Sequence, residues 1–147
     1  MDINKKIFFI LLLVGAGCQP DPKPRPTWDA EMAANPCAAH LHDLIGELLV
    51  YKLRHDEWPR VLSELTPNSE DPAIWHDPVT GLPYKYSPEG ILTLGKRAHI
   101  LVWEQQPCTA GIRWVILQPT EESGESQDLR VAPIPEKDLP KQIISSQ

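Results

Sequence analysis

With 147 residues and a formal charge of −6, the chain has room for one small domain and no general attraction for polyanions. No Lys/Arg cluster stands out, so neither nucleic acid nor an anionic lipid surface is an expected partner. Sixteen prolines exclude a long helical bundle, because proline removes a backbone donor and breaks helix interiors.

The chain opens MDINKKIFFILLLVGAGC. Lys5 and Lys6 make a charged start, residues 7–14 an apolar run, and Gly15, Ala16 and Gly17 the small residues a signal peptidase needs. The run is far shorter than the roughly 20 residues of a spanning helix. Ending in Cys18, it resembles the lipobox of bacterial lipoproteins, with Gly15 where that family most often has Leu. The resemblance implies that residues 1–17 are a lipoprotein signal peptide. Cys18 would then begin the mature chain and carry thioether-linked diacylglycerol, usually with an N-acyl chain as well. Several buried acyl chains anchor stably, at about 0.8 kcal/mol per methylene. The competing reading is an ordinary secretory leader with a chance cysteine. Gln19, rather than Asp, follows Cys18, which turns the expectation toward the outer membrane, facing the periplasm. Loss of the leader removes Asp2, Lys5 and Lys6 and leaves the mature chain one unit more negative.

Residues 18–34 are read as a linker, with QPDPKPRPT at 19–27 an extended, stiff polyproline-like spacer. The domain is expected over residues 35–147. Asn35-Pro36 reads as a helix start, with Asn35 as cap and Pro36 in the first turn. Cys37 stands four residues before Leu41 and so shares its apolar face. Export leaves Cys37 and Cys108 as an even pair in an oxidising compartment, where a disulfide is expected. Two independent buried thiols are the alternative. No C-x-x-C spacing supports a redox role.

Leu41, Leu44, Ile45, Leu48, Leu49 and Leu53 recur at helical spacing, so one side of this helix needs a partner surface. VLSELTP at 61–67 reads as a further short helical piece. Short β-rich runs follow: ILTLG at 91–95, ILVWE at 100–104 and RWVIL at 113–117, with 129–134 an edge strand on account of Pro133. TEESGESQD at 120–128 is an acidic solvated loop, and residues 136–144 make a short last helix limited by Pro140. The expected fold class is α+β, an N-terminal helix packed on a small antiparallel sheet.

Two segments carry a second resemblance. YKLRHDEWPRVLSELTP at 51–67 and DPVTGLPYKYSPEGILTLG at 77–95 are similar to the region after the long helix in type II secretion major pseudopilins. That family shows a Gly, one variable residue, an aromatic and Pro, and later Asp-Pro-x-Thr-Gly-x-Pro-Tyr-x-Tyr. Trp58-Pro59 fills the first slot, with Asp56 where Gly is usual; Asp77, Pro78, Gly81, Pro83 and Tyr84 fall on the second motif. The resemblance spans residues 41–117 and implies a pilin-like headgroup. The family's cleavage site and long apolar stem with an early Glu are not in this sequence, where the lipid leader stands instead. Its calcium loop has no counterpart either, since Gly95-Lys96-Arg97-Ala98 offers no carboxylate and calcium needs several oxygen ligands. The motif residues read as structural. Trp58-Pro59 stops the helix, Asp77 caps a turn through Pro78, Gly81 supplies the positive φ, and Tyr84 and Tyr86 point to one sheet face.

Candidate chemistry is sparse. His40 and His42 are two apart on a helix and do not share a face, and Leu44 and Gly46 occupy the positions one turn on, so His40, His42 and Asp43 are not read as a metal site. Asp43 and Glu47 read as a solvated pair. No serine has a G-x-S-x-G frame, no Gly-rich phosphate loop is present, and Cys108 has no His near it in sequence. The expectation is therefore no catalytic residues, no metal and no cofactor, and function by protein–protein interaction at a membrane. The alternative is an envelope enzyme or ligand-binding lipoprotein, with a pocket walled by Trp75, Trp103 and Trp114 and chemistry on His42, His55 or Cys108.

Overall fold

A computed structural model describes residues 30–65 and 74–145. The leader, Cys18, residues 19–29 of the linker and Thr66-Pro67 lie outside the described residues. Two helices, α1 (Ala30–Ala34) and α2 (Pro36–His55), precede a four-stranded antiparallel meander. Its strands are β1 (Lys85–Leu92), β2 (Ala98–Trp103), β3 (Ile112–Pro119) and β4 (Arg130–Pro135), in spatial order β1-β2-β3-β4. A short α3 (Lys141–Ile144) ends the fold. This is the expected α+β arrangement of a helix on an antiparallel sheet. No helix among the described residues is long and apolar enough to cross a membrane.

Asn35 starts α2, its side chain accepting from the amides of Cys37 and Ala38 at 3.0 and 3.1 Å. Asp56 ends it in the left-handed conformation (φ 60°), its amide bonded to the Lys52 carbonyl. Asp56 thus takes a φ that glycine adopts freely and that Asp tolerates better than most residues. Trp58-Pro59 follows that stop rather than causing it. The Lys52 ammonium sits 4.9 Å from the Trp58 ring centroid, and Pro59 is buried with its carbonyl accepting from the Tyr86 hydroxyl at 2.7 Å.

The sheet separates two cores, because strand residues alternate between its faces, except where a register shift between Ile100 and Val102 turns both Leu101 and Val102 to the helix side. On the helix face Leu41, Leu44, Ile45 and Leu48 pack against Leu101, Val102, Trp114, Ile116 and Val131. Each fully buried leucine stabilises by about 1.5–3 kcal/mol relative to exposure. On the other face Ile100, Trp103, Val115 and Leu117 are covered by Leu139 and Ile143 from the C-terminal segment.

Four further expectations need correction. The linker does not run to Ala34, since residues 30–34 are helical and Met32 packs on the core. Leu49 and Leu53 do not join the buried face; they are 47 % and 87 % exposed. With 3.6 residues per turn, the stripe through Leu41, Leu44, Ile45 and Leu48 leaves Leu49 and Leu53 on its flank. The first strand begins at Lys85 rather than Ile91, and residues 93–95 turn instead of extending. Lys85 and Tyr86 oppose Trp103 and Val102, but Ile91 and Leu92 oppose Ile100 and His99. Residues 87–90 therefore bulge against Leu101 alone, which lets the strand absorb Pro88 and Gly90. Finally, the last helix is broken at Pro140 into a 3-10 turn (Glu136–Asp138) and α3.

Candidate functional site

The loop between α2 and the sheet closes on itself through Asp77. The Asp77 Oδ1 accepts from the amides of Val79 and Thr80 at 2.8 and 2.7 Å, and its carbonyl accepts from Gly81 at 2.8 Å. Gly81 has φ +70°, as the turn requires. His76 and Pro83 form an isolated antiparallel bridge, and the Tyr84 amide donates to Trp75. Pro78 is exposed on the turn, while Tyr84 and Tyr86 pack into the helix-side core. Burial pushes both phenols upward, helped for Tyr84 by the charges of Asp77 and Glu104.

This tight turn places Asp77, 2 % exposed, beside the Cys37–Cys108 disulfide, which ties the start of α2 to the β2–β3 loop across 71 residues. Cys37 is fully buried and Cys108 partly so. The fourth member is Glu104, fully buried just after β2. One ligand-capable atom from each of Cys37, Asp77, Glu104 and Cys108 lies within 4.8 Å of those from the other three.

Glu104 is held by an exchange at the end of the ladder. Its backbone carbonyl accepts from Arg113 Nη1 at 3.1 Å, and its carboxylate Oε2 accepts from the Trp114 amide at 2.9 Å. The other oxygen, Oε1, lies 3.1 Å from Cys108 Sγ. Burial dominates and pushes the carboxyl up to about 8; the amides of Trp114 and Cys108 oppose this, and the neighbouring Asp77 reinforces it. A hydrogen bond between the two carboxyls needs a proton on one of them. Without that proton the buried Asp77 Oδ2 has no partner. The salt bridges Arg113–Glu136 and Arg130–Glu125 do not reach these two acids.

The other candidate side chains are dispersed. His40 Nδ1 lies 3.3 Å from the Tyr84 hydroxyl, on the inner side of α2, whereas His42 and Asp43 are exposed. His55 is exposed and stacks against Tyr51, with ring centroids 4.2 Å apart. Trp103 and Trp114 belong to opposite faces of the sheet, and Trp114 shares its face with Trp75. A groove of about 780 Å³ runs between Met32 and Ile45 on the helices and Leu129, Val131, Ala132 and Pro133 near β4, with no tryptophan among its lining residues.

Sequence reasoning reached Cys37, Cys108 and Asp77 but missed Glu104. The available signal was a lone carboxylate directly after the apolar run HILVW, four residues before a cysteine. Comparison with protein-family models, curated proteins and solved structures finds no match for this chain.

Proposed function

We propose that this chain is a lipid-anchored protein of the bacterial cell envelope, facing the periplasm from the outer membrane, that works by binding another protein. The lipobox-like end at Cys18 supports the anchor, and the proline-rich stretch at 19–27 supplies the spacer. The similarity of residues 51–67 and 77–95 to major pseudopilins favours an accessory role in a secretion or pilus-like system, with a tether where the filament stem would be.

The observation that carries the binding reading is the flank of α2. Leu49 and Leu53 stand one turn apart, and Leu53 is 87 % exposed. Two leucines in register on a helix already anchored by its other face form a starting patch for a protein contact. Photo-crosslinking groups at Leu49 and Leu53 of the native lipoprotein, expressed in its own cells, test this. Discrete adducts from both positions, and none from the exposed Lys137, are expected. Equal labelling from all three positions, or none from the two leucines, contradicts it.

A further inference from the structure

The feature left unexplained by an interaction domain is the pair of buried acids against the cysteines. A structural disulfide needs no carboxylate beside it. Burying a carboxyl without a counter-charge is costly, and Asp77 and Glu104 are 2 % and 0 % exposed. Asp77 Oδ2 is buried and has no partner unless a proton is shared with Glu104. Four ligand-capable atoms from three separate segments, the start of α2, the Asp77 turn and the β2–β3 loop, converge there within 4.8 Å.

We infer that the reduced form of this cluster is a zinc site, with Cys37, Cys108, Asp77 and Glu104 as its four ligands. Two sulfurs and two carboxylate oxygens suit borderline-soft zinc, whereas calcium takes six or more oxygens. Tetrahedral zinc with bonds of about 2.3 Å to sulfur and about 2.0 Å to oxygen needs its ligands roughly 3–4 Å apart; on reduction the two sulfurs, bonded to each other here, separate toward that spacing while the widest pairs draw in. Two thiolates and two carboxylates leave the same formal charge around the ion as a four-thiolate structural site. The surrounding shell is already built. The Trp114 amide fixes Glu104, and the Val79 and Thr80 amides fix Asp77 through Oδ1.

Disulfide and ion exclude each other. A dithiol reductant gives two electrons and two protons to the disulfide, and is itself oxidised to a disulfide. The two thiols then release their protons to solvent as zinc binds, and any proton held between the two carboxyls leaves with them. The site therefore reads the redox state of the compartment.

The test uses the full chain, oxidised or reduced, with zinc alone competing against a chromophoric chelator, and cobalt(II) as a spectroscopic substitute. One zinc per reduced chain and none per oxidised chain are expected. Asp77→Asn and Glu104→Gln should each weaken binding at least tenfold. Cobalt in the reduced wild-type protein should give thiolate charge-transfer bands and the strong visible bands of a four-coordinate ion, a readout that does not depend on the variants folding. Absence of zinc from reduced protein that keeps its helix signal overturns the inference. So do equal binding by both redox forms, weak six-coordinate cobalt bands, or unchanged affinity in folded Asp77→Asn and Glu104→Gln.

Discussion

Arg113 and Glu136 meet at a single oxygen: Nε and Nη2 of the buried guanidinium both donate to Glu136 Oε1, at 3.0 and 2.9 Å. The remaining arm, Nη1, holds the carbonyls of Glu104 and Gln105 at 3.1 and 2.9 Å. One side chain thus fastens the C-terminal segment to the sheet and fixes the strand end from which Glu104 projects. Arg113→Met should cost about 3 kcal/mol, since it strips the partners from two carbonyls and from a carboxylate. Glu136→Gln should cost less, about 1 kcal/mol, because Glu136 is 40 % exposed. Urea denaturation measures both, and equal costs for the two variants would contradict this division.

Glu104 gives the disulfide-bonded, metal-free protein a pH dependence of definite sign. Its carboxyl is raised from an ordinary 4.5 to about 8, so the folded state prefers the protonated acid. That stabilisation is complete below the unfolded value and is lost as pH rises through about 8. Melting temperature should therefore fall across this window, and Glu104→Gln should flatten the fall. An unchanged slope in the variant would show that another group is responsible.

The start of α2 depends on one side chain. Asn35→Ala removes the acceptor for the Cys37 and Ala38 amides and should cost about 1 kcal/mol. Asn35→Asp should retain most of the stability, because its carboxylate can accept the same bonds and favours a helix N-terminus. Chemical denaturation of the two variants side by side tests the cap separately from the packing of α2.

Gly90 sits in the β1 bulge at φ +72°, and a methyl group there would stand 2.5 Å from the His99 Cβ. That neighbour is the root of a side chain on the paired strand and cannot swing away. Gly90→Ala should destabilise by about 2 kcal/mol, whereas Gly46→Ala, with open space around it, should stabilise the helix by up to about 1 kcal/mol. Thermal unfolding of both variants gives the contrast.

Local signals carried much of the fold. Asn35-Pro36 marked the helix start, and the spacing of Leu41, Leu44, Ile45 and Leu48 marked its buried face. Asp77 and Gly81 announced their turn, because turn chemistry lies within five residues. What escaped depends on pairing at a distance. Pro88 and Gly90 read as chain breakers, and only the partner strand shows that a bulge accommodates them. Leu49 and Leu53 fit the helical period, but they fall beside the buried stripe and stay exposed. The convergence of the cluster escaped for the same reason: Cys37, Asp77 and the Glu104–Cys108 loop come from three stretches spread over residues 37 to 108.

The anchoring of this head is tested most directly by feeding cells a palmitate analogue and fractionating them, comparing the wild-type chain with Cys18→Ala. Labelled wild-type protein in the membrane fraction is expected, with an unlabelled variant that has lost its attachment there. Unlabelled wild-type protein recovered in the soluble fraction would contradict lipid anchoring.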